Sequence, residues 1–296
     1  MQLRYDAGEI ITAMVTPFKE NREVDFAAVE KLARHLADNR SDAILVAGTT
    51  GESPTLTHEE EIEILKCVKS TVGKECKIIM GAGSNSTKTA METTEKAAKA
   101  GADAILSVVP YYNKPSQAGM YEHFSSIAKV SKLPIILYNI PGRTGVNMLP
   151  ETVAKLAKEY DNIVALKQSN SDLDLISELK VACPEDFAIY SGDDSLTLPM
   201  LSLGAYGVIS VASHVVGNEI HTIIKNYKNG ETKIPKNMHM YLFPLFKKLF
   251  MAPNPVPVKE VLSQMGLMNN YVRRPLVELT EEQKTELMAV ATNYLQ

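Results

Sequence analysis

The chain has 296 residues, of which 45% are hydrophobic and 22% charged, and it carries a formal net charge of −4. A chain of this length buries about 75% of the surface that it exposes when unfolded, so it can form a full core without disulfides or metals. This charge balance does not indicate a basic surface of the kind that binds nucleic acid. No stretch approaches the roughly 18 uncharged apolar residues of a membrane-spanning helix.

The N-terminal residues and the cysteines together predict a cytoplasmic protein. The first residues, MQLRYDAGEIITAMV, carry charges where a signal peptide has its apolar core, which argues against export. The three cysteines, Cys67, Cys76 and Cys183, form no CxxC pair. An odd number of scattered cysteines suits a reducing compartment, and we expect structural thiols.

Eight short apolar runs recur along the chain. Each is almost continuously apolar rather than alternating, as expected of strands that are covered on both faces. The runs are residues 9–15, 42–48, 77–83, 104–110, 134–140, 163–169, 187–192 and 207–213.

Segments with helical periodicity separate most of these runs. In residues 57–73, Thr57 is followed three residues later by Glu60, which is the signature of a capping box, and the segment ends at Gly73. The other clear helical segments are 25–39, 85–101 and 149–162, and the connection 193–206 is long enough for a short helix.

Eight strands alternating with helices over about 220 residues predict a (β/α)₈ TIM barrel. A doubly wound open sheet is the alternative, but it would usually show a glycine-rich loop after an early strand. The segment that follows the first run, TPFKENREVD, contains no glycine.

The last part of the chain has a different pattern, with one helical segment following another. These segments are 236–251, 254–266 and 280–295, and the last begins with Thr280 and Gln283 at capping-box spacing. We therefore expect residues 1–230 to form the catalytic barrel and residues 231–296 to form an appended helical segment.

Residues at the carboxyl ends of the strands are the candidates for chemistry, because active sites of such barrels lie at that rim. Lys167 ends the apolar run IVALK, although lysine is among the residue types least often buried. Poor solvation disfavours a charged amine, and a free amine attacks a ketone to form a Schiff base. This supplies carbon–carbon chemistry without a metal or cofactor. The alternative is a buried stem whose amine reaches solvent.

Several further side chains could assist such a lysine. Tyr138 lies on the preceding strand, about 4.8 Å away if the strands are neighbours, and its phenol could move protons. The turn GTTGES, residues 48–53, offers N–H and O–H donors for a carboxylate, and the guanidinium of Arg143 suits a carboxylate as well. The alternatives are a barrel-filling aromatic, an ordinary turn and a surface arginine.

Metal chemistry is not predicted. The six histidines never pair at ligand spacing, and no HExxH motif is present. Asp193 and Asp194 could bind Mg²⁺, but we expect them to cap a helix. No Ser–His–Asp arrangement can be identified.

Taken in order, these segments resemble the pyruvate-dependent class I aldolases of the dihydrodipicolinate synthase and N-acetylneuraminate lyase family. The match covers nearly the whole chain, and the ordered set of motifs is specific. The motifs are TAMVTPF, GTTGES, PYYNKPSQ, YNIPGRTG, LKQS, YSGDD, GVISV and NPVPVK. Within the family, YNIPGRTG resembles the dihydrodipicolinate synthase version, whose arginine holds the carboxylate of aspartate semialdehyde.

The resemblance implies a role for each matching residue. Lys167 would form the Schiff base with pyruvate, and Tyr138 would donate and accept protons in a relay with Thr49 and with Tyr112 from a neighbouring subunit. Thr50, Ile209 and the backbone of Gly192 would contact pyruvate, and Arg143 would bind aspartate semialdehyde. The implied product is 4-hydroxy-tetrahydrodipicolinate, on the route to diaminopimelate and lysine, and the implied assembly is a tetramer built from two tight dimers.

The sequence departs from the family pattern in two places. The family usually follows the lysine with an acidic residue and a glycine-containing turn, whereas this chain has Gln168 and Asn170. This change indicates either a shifted preference for the second substrate or only a repacked loop.

The second departure concerns regulation. Lysine-inhibited relatives bind lysine at the dimer interface, and this chain keeps four of the matching residues, Ser53, His58, Asn85 and Tyr111. It has Glu61 and Thr89 where those relatives carry a second histidine and an acid. We therefore expect weak or absent inhibition by lysine.

Three other functions are compatible with the sequence. One is a pyruvate aldolase of the same family that acts on a sugar acid or a hydroxy-oxo acid, and another is a non-catalytic relative kept for assembly or ligand sensing. A phosphate-binding barrel is the third, but the loops after the seventh and eighth strands lack a glycine-rich cradle.

Overall fold

The computed structural model describes residues 2–295, and within this range eight parallel strands hydrogen-bond in chain order to form a closed barrel. Each strand lies inside one of the eight apolar runs, so the predicted (β/α)₈ barrel is confirmed. The strands are β1 (Ile10–Ala13), β2 (Ala43–Val46), β3 (Lys77–Gly81), β4 (Ala104–Val108), β5 (Ile135–Asn139), β6 (Ile163–Gln168), β7 (Ala188–Ser191) and β8 (Gly207–Ser210).

Helices follow the strands and continue after β8. Among residues 2–295, every helix is too short or too polar to cross a lipid bilayer. The helices are α1 (Phe26–Asp38), α2 (His58–Val72), α3 (Thr87–Lys99), α4 (Gln117–Val130), α5 (Pro141–Thr144), α6 (Pro150–Glu159), α7 (Leu173–Ala182), α8 (Thr197–Ser202), α9 (Ser213–Lys228), α10 (Lys233–Lys248), α11 (Val256–Gln264) and α12 (Glu281–Ala291).

Capping boxes begin α2 and α12, where the sequence predicts them. The Thr57 side chain accepts a hydrogen bond from the Glu60 backbone, and the Glu60 side chain accepts one from the Thr57 backbone. Thr280 and Gln283 make the same reciprocal pair. Each box satisfies two N–H groups that would otherwise lack a partner at the start of the helix, so these helices begin where the capping residues stand.

Contacts divide the chain into two compact units. The first comprises the N-terminal residues up to Gly8 together with Ile79–Ile209, and the second comprises Glu9–Ile78 together with the residues from Ser210 onward. The first unit contains β4 to β7, and the second contains β1, β2 and α9 to α12. The sequence-based division into a barrel of residues 1–230 and a helical segment of residues 231–296 stays a prediction.

A buried ion pair organises the second unit. Lys259, on α11, is fully buried, and its Nζ lies 2.5 Å from Oε1 of the equally buried Glu52. The same amine donates to the Tyr271 carbonyl at 2.7 Å, while the backbone N–H of Arg273 donates to the second Glu52 oxygen at 2.9 Å. Burial lowers the pKa of the Lys259 amine to about 8, and the neighbouring Glu52 opposes that shift.

This ion pair fixes the end of the GTTGES turn. Glu52 is the fifth residue of that turn and has a positive φ of 57°, a backbone conformation that is uncommon for residues other than glycine. Because its two carboxylate oxygens are both bound, the turn has little freedom to relax. A lysine and a glutamate 207 residues apart therefore hold the loop that follows β2.

We expect Lys259→Met to destabilise the protein by about 3–5 kcal/mol, because Glu52 would remain buried without its cation. The double variant Lys259→Met/Glu52→Gln should recover most of that loss, since no uncompensated charge remains. Urea unfolding of the parent, the two single variants and the double variant measures the coupling. A single variant within about 1 kcal/mol of the parent would contradict this role for the pair.

Candidate active site

Lys167 and Tyr138 face each other on neighbouring strands. All six residues of β6 are buried, and the register of β5 and β6 places Tyr138 directly opposite Lys167. The two side chains are only 6% and 7% exposed, and Lys167 Nζ lies 4.4 Å from the centre of the Tyr138 ring. The structure therefore brings together the amine and the phenol that the sequence predicted to cooperate.

The Lys167 amine has no counter-charge. Among the described residues it forms no ion pair or hydrogen bond, whereas the amine of Lys259 has both. The amine is therefore not held by another polar side chain, which leaves it available to react with a substrate. A neutral amine is the form that attacks a carbonyl carbon.

Gly192 leaves the space that the lysine side chain occupies. A Cβ atom at this position would lie 3.0 Å from Lys167 Cε and 1.9 Å from Ser169 Oγ. Any residue larger than glycine at position 192 would therefore overlap Ser169 and crowd the side chain of Lys167. The sequence predicted Gly192 as a backbone contact for substrate, and the structure adds this steric reason for glycine. It also brings Ser169, which the sequence did not predict as a site residue, to the same place.

Gln168 lies on the opposite face of β6 from Lys167, because successive side chains of a strand point to opposite faces. Its Oε1 accepts a hydrogen bond from Asn139 Nδ2 at 3.1 Å, and Asn139 is the residue that follows Tyr138. Asn139 also donates to Asn147 Oδ1 at 2.8 Å and accepts from the Met148 backbone at 3.1 Å. The amide at position 168 thus belongs to a network behind the lysine.

The amide network continues to α4 and fixes the segment after α5. Gln117 donates to the Asn147 carbonyl at 2.8 Å and accepts from the Thr152 hydroxyl at 2.7 Å. Asn170, the other departure from the family pattern, accepts a hydrogen bond from the Asp172 backbone at 3.1 Å just before α7. Both departures therefore have local structural partners.

Arg143 stands on the four-residue helix α5, directly after β5. Its side chain is exposed and makes no hydrogen bond or ion pair with any described residue. Gly145 ends α5 with a φ of +74°, a conformation that glycine adopts without strain. The guanidinium is therefore free to bind an anion from solvent.

Tyr111 and Tyr112 lie in the loop after β4. Tyr112 is 87% exposed and has a φ of +71°, whereas Tyr111 is 41% exposed. Asn85 donates to the Tyr111 carbonyl at 3.2 Å, and Asn113 donates to the Asn85 carbonyl at 2.8 Å. These bonds hold the loop in a backbone conformation that is costly for an aromatic residue, with the Tyr112 ring directed into solvent.

The remaining predicted residues lie at other strand ends. Ile209 is buried in β8. In the second unit, Thr49 is half-buried and Thr50 is buried, and the Thr50 hydroxyl accepts from Asn254 Nδ2 at 2.9 Å. Direct contacts thus join Lys167 with Tyr138 and with Gly192.

Two residues predicted for lysine binding lie at the start of α2. Ser53 begins a short turn of 3₁₀ helix, and His58 is the first residue of α2. His58 Nδ1 lies 2.9 Å from Oε2 of Glu61, and burial raises the pKa of the Glu61 carboxyl. Glu61, which stands where lysine-inhibited relatives differ, is thus already bonded to His58.

Metal-ligand clusters are absent from the described residues, where no three His, Cys, Asp or Glu side chains converge. Asp193 instead accepts hydrogen bonds from the backbone and the hydroxyl of Ser195, at 3.1 and 2.9 Å. It caps the short 3₁₀ helix Asp194–Leu196, in agreement with the helix-capping interpretation.

A closed (β/α)₈ barrel whose sixth strand carries a buried lysine beside a tyrosine fits a lyase that forms a Schiff base on that lysine. The sequence model of the Dihydrodipicolinate synthetase family matches residues 6–294. The chain belongs to this family.

Relatives of known name agree along nearly the whole chain. The 4-hydroxy-tetrahydrodipicolinate synthase of Desulforamulus reducens is 49% identical over 97% of this chain and 97% of its own length. The enzyme of the same name from Thermosynechococcus vestitus is 51% identical over 96% of each chain. The crystal structure of dihydrodipicolinate synthase from Cyanidioschyzon merolae with lysine bound has a TM-score of 0.94 and 49% identity, covering 97% of this chain and 98% of that one.

We expect Gly192→Ala to fold but to lose reaction at Lys167, because the new methyl group would overlap the Ser169 hydroxyl and crowd the lysine side chain beside it. Misplacement of a reacting group by about 1 Å costs on the order of 100-fold in rate. Borohydride reduction in the presence of pyruvate, followed by intact mass, measures the adduct. Gly142→Ala is the matched control, since nothing lies within 4 Å of a Cβ at that position. Equal trapping in the two variants would contradict the steric role of Gly192.

Proposed function

We propose that this chain catalyses the condensation of pyruvate with aspartate semialdehyde to 4-hydroxy-tetrahydrodipicolinate. The observation that carries the proposal is the Lys167 amine, buried without a counter-charge 4.4 Å from the ring of Tyr138. Support comes from relatives about half identical in sequence, which are named 4-hydroxy-tetrahydrodipicolinate synthase. This reaction lies on the route to diaminopimelate and lysine.

The first step joins pyruvate to the enzyme. The Lys167 amine attacks the keto carbon of pyruvate, water leaves, and a protonated imine remains. The imine withdraws electrons, so the methyl carbon of pyruvate loses a proton and the adduct becomes an enamine. Tyr138, whose ring lies 4.4 Å from the amine, is the group that moves this proton.

The second step forms the carbon–carbon bond. The enamine carbon attacks the aldehyde carbon of aspartate semialdehyde, and the aldehyde oxygen takes up a proton to become the 4-hydroxyl group. The amino group of the same substrate then attacks the imine carbon and displaces Lys167, which closes the ring and restores the free amine. One water molecule is released for each pair of substrates, and no oxidant or reductant is consumed.

The other matching residues receive their roles from the family resemblance. Thr50, Ile209 and the Gly192 backbone contact the pyruvate part, and Thr49 completes the proton relay with Tyr138 and with Tyr112 from a neighbouring subunit. Arg143 binds the carboxylate of aspartate semialdehyde, in keeping with its exposed and unpaired guanidinium.

The proposed assembly is a homotetramer made of two tight dimers, and the proposed location is the cytoplasm. Tyr112 is 87% exposed and is held in a left-handed backbone conformation. A large aromatic side chain exposed in this way supports an interface in which a neighbouring subunit covers it. The three cysteines are free thiols, which is compatible with a reducing compartment.

Weak or absent inhibition by lysine stays part of the proposal. The bond between His58 and Glu61 occupies a carboxylate that would otherwise be available to the ammonium group of lysine. Assays with added lysine measure this property, and half-inhibition in the low-micromolar to sub-millimolar range would contradict it.

Lys167→Ala should abolish both the pyruvate adduct and turnover while the fold is kept. The parent should form 4-hydroxy-tetrahydrodipicolinate from pyruvate and aspartate semialdehyde, as followed by mass spectrometry of the product, and borohydride should fix one pyruvate on Lys167. Turnover of the variant within about tenfold of the parent, equivalent to roughly 1.4 kcal/mol in barrier, would contradict the covalent role. A parent that traps pyruvate but does not use aspartate semialdehyde would instead indicate another aldolase of the family.

Arg143→Ala should leave pyruvate trapping intact and lower kcat/KM for aspartate semialdehyde by about 10- to 100-fold, because a charge-assisted hydrogen bond to its carboxylate is lost. Arg143→Lys keeps the charge but not the two-pronged geometry, so an intermediate value is expected. Steady-state kinetics with each substrate varied in turn measures the effect. A fall in kcat/KM confined to pyruvate would show that Arg143 binds pyruvate and not aspartate semialdehyde, which would contradict the proposed role.

A further inference from the structure

The hydroxyl of Ser169 is buried without a hydrogen-bond partner among the described residues. Hydroxyl groups buried in this way are rare, since burial without a partner costs free energy. The nearby Ser191 shows the usual arrangement, because its hydroxyl donates to the Asp193 carbonyl at 2.7 Å. An unpartnered hydroxyl beside a reactive group indicates that something other than the protein completes its hydrogen bond.

The geometry directs this hydroxyl to the reacting end of Lys167. Ser169 follows Lys167 by two residues, and its backbone N–H continues the pairing with β5 by donating to the Asn139 carbonyl at 2.9 Å. Both side chains therefore point to the same side of the strand. The point where a Gly192 Cβ would stand is 1.9 Å from Ser169 Oγ and 3.0 Å from Lys167 Cε. The Ser169 hydroxyl and the Lys167 side chain therefore both lie beside the α-carbon of Gly192. The amine nitrogen of Lys167 is one bond beyond Cε.

The position along the strand identifies the substrate that this hydroxyl meets. Ser169 directly follows Gln168, the last residue of β6, so it stands at the carboxyl end of the strand, from which substrates enter such barrels. Pyruvate binds first and becomes attached to Lys167, whereas the aldehyde arrives later and approaches the adduct from the entrance. A donor at the carboxyl end of the strand is therefore on the side from which the aldehyde approaches.

We propose that Ser169 is a further substrate-contacting residue, whose hydroxyl donates a hydrogen bond to the aldehyde oxygen of the second substrate. The proposal rests on the function proposed above. During carbon–carbon bond formation this oxygen gains negative charge before it is protonated, so a hydrogen bond there strengthens in the transition state. Ser169 forms no covalent bond and supplies no electrons in this step.

Ser169→Ala tests the proposal, because it removes one oxygen atom that bonds to no described residue. We expect kcat/KM for aspartate semialdehyde to fall by about 10- to 100-fold, while KM for pyruvate and the rate of borohydride trapping stay unchanged. Ser169→Thr keeps the hydroxyl and should restore most of the activity. The control is Ser125→Ala, which removes a buried hydroxyl that donates to the Tyr121 carbonyl within α4 and should leave the kinetics unchanged.

The outcomes separate this proposal from the proposed function. If the parent turns over aspartate semialdehyde and Ser169→Ala does so equally well, the hydroxyl contact is wrong while the function stands. If Ser169→Ala loses pyruvate trapping as well, Ser169 positions the lysine, and the aldehyde contact is again overturned. A parent that neither traps pyruvate nor uses the aldehyde would overturn the proposed function itself, together with this contact.

Discussion

The burial of one amine without a counter-charge is the constraint on which the site depends. Lys167 gains nothing from an ion pair, so the surrounding strands must supply the stability that holds it. They do so by burying β6 along its whole length and by leaving a glycine at position 192, against which the lysine side chain packs. A methyl group there would crowd Lys167 Cε, and a carboxylate near the amine would bind the group that must react with the keto carbon.

The two faces of the β5–β6 pair have separate tasks. One face presents Tyr138 and Lys167, which the strand register places opposite each other. On the other face, the hydrogen bond between Asn139 and Gln168 joins the next residues along the same two strands. This bond resists slippage between the strands, and slippage by one residue would turn every side chain of the strand to the other face. An amide pair outside the barrel thus preserves the alignment of the reacting groups inside it.

Local patterns account for what the sequence predicts, and long-range contacts account for what it misses. The eight strands follow from continuous apolar runs and the helix starts from capping residues, and both kinds of signal lie within a few neighbouring positions. The bond between Asn139 and Gln168 joins residues 29 apart, so the sequence showed Gln168 only as a departure from the family pattern. Ser169 was overlooked for the same reason, since its position against Gly192 depends on the packing of β6 beside β7.

The two buried lysines show why burial alone does not identify a catalytic amine. Lys259 is more completely buried than Lys167, yet its charge is matched by Glu52 and its amine also donates to the Tyr271 carbonyl. That lysine is structural, because its amine is already committed to partners. Among the described residues Lys167 forms neither an ion pair nor a hydrogen bond, and its amine instead contacts the face of the Tyr138 ring. A group left without such bonds at a cost in stability is the kind of feature that a fold retains at a functional site. The missing partner, rather than the buried position, therefore distinguishes the lysine that acts on substrate from the lysine that holds the protein together.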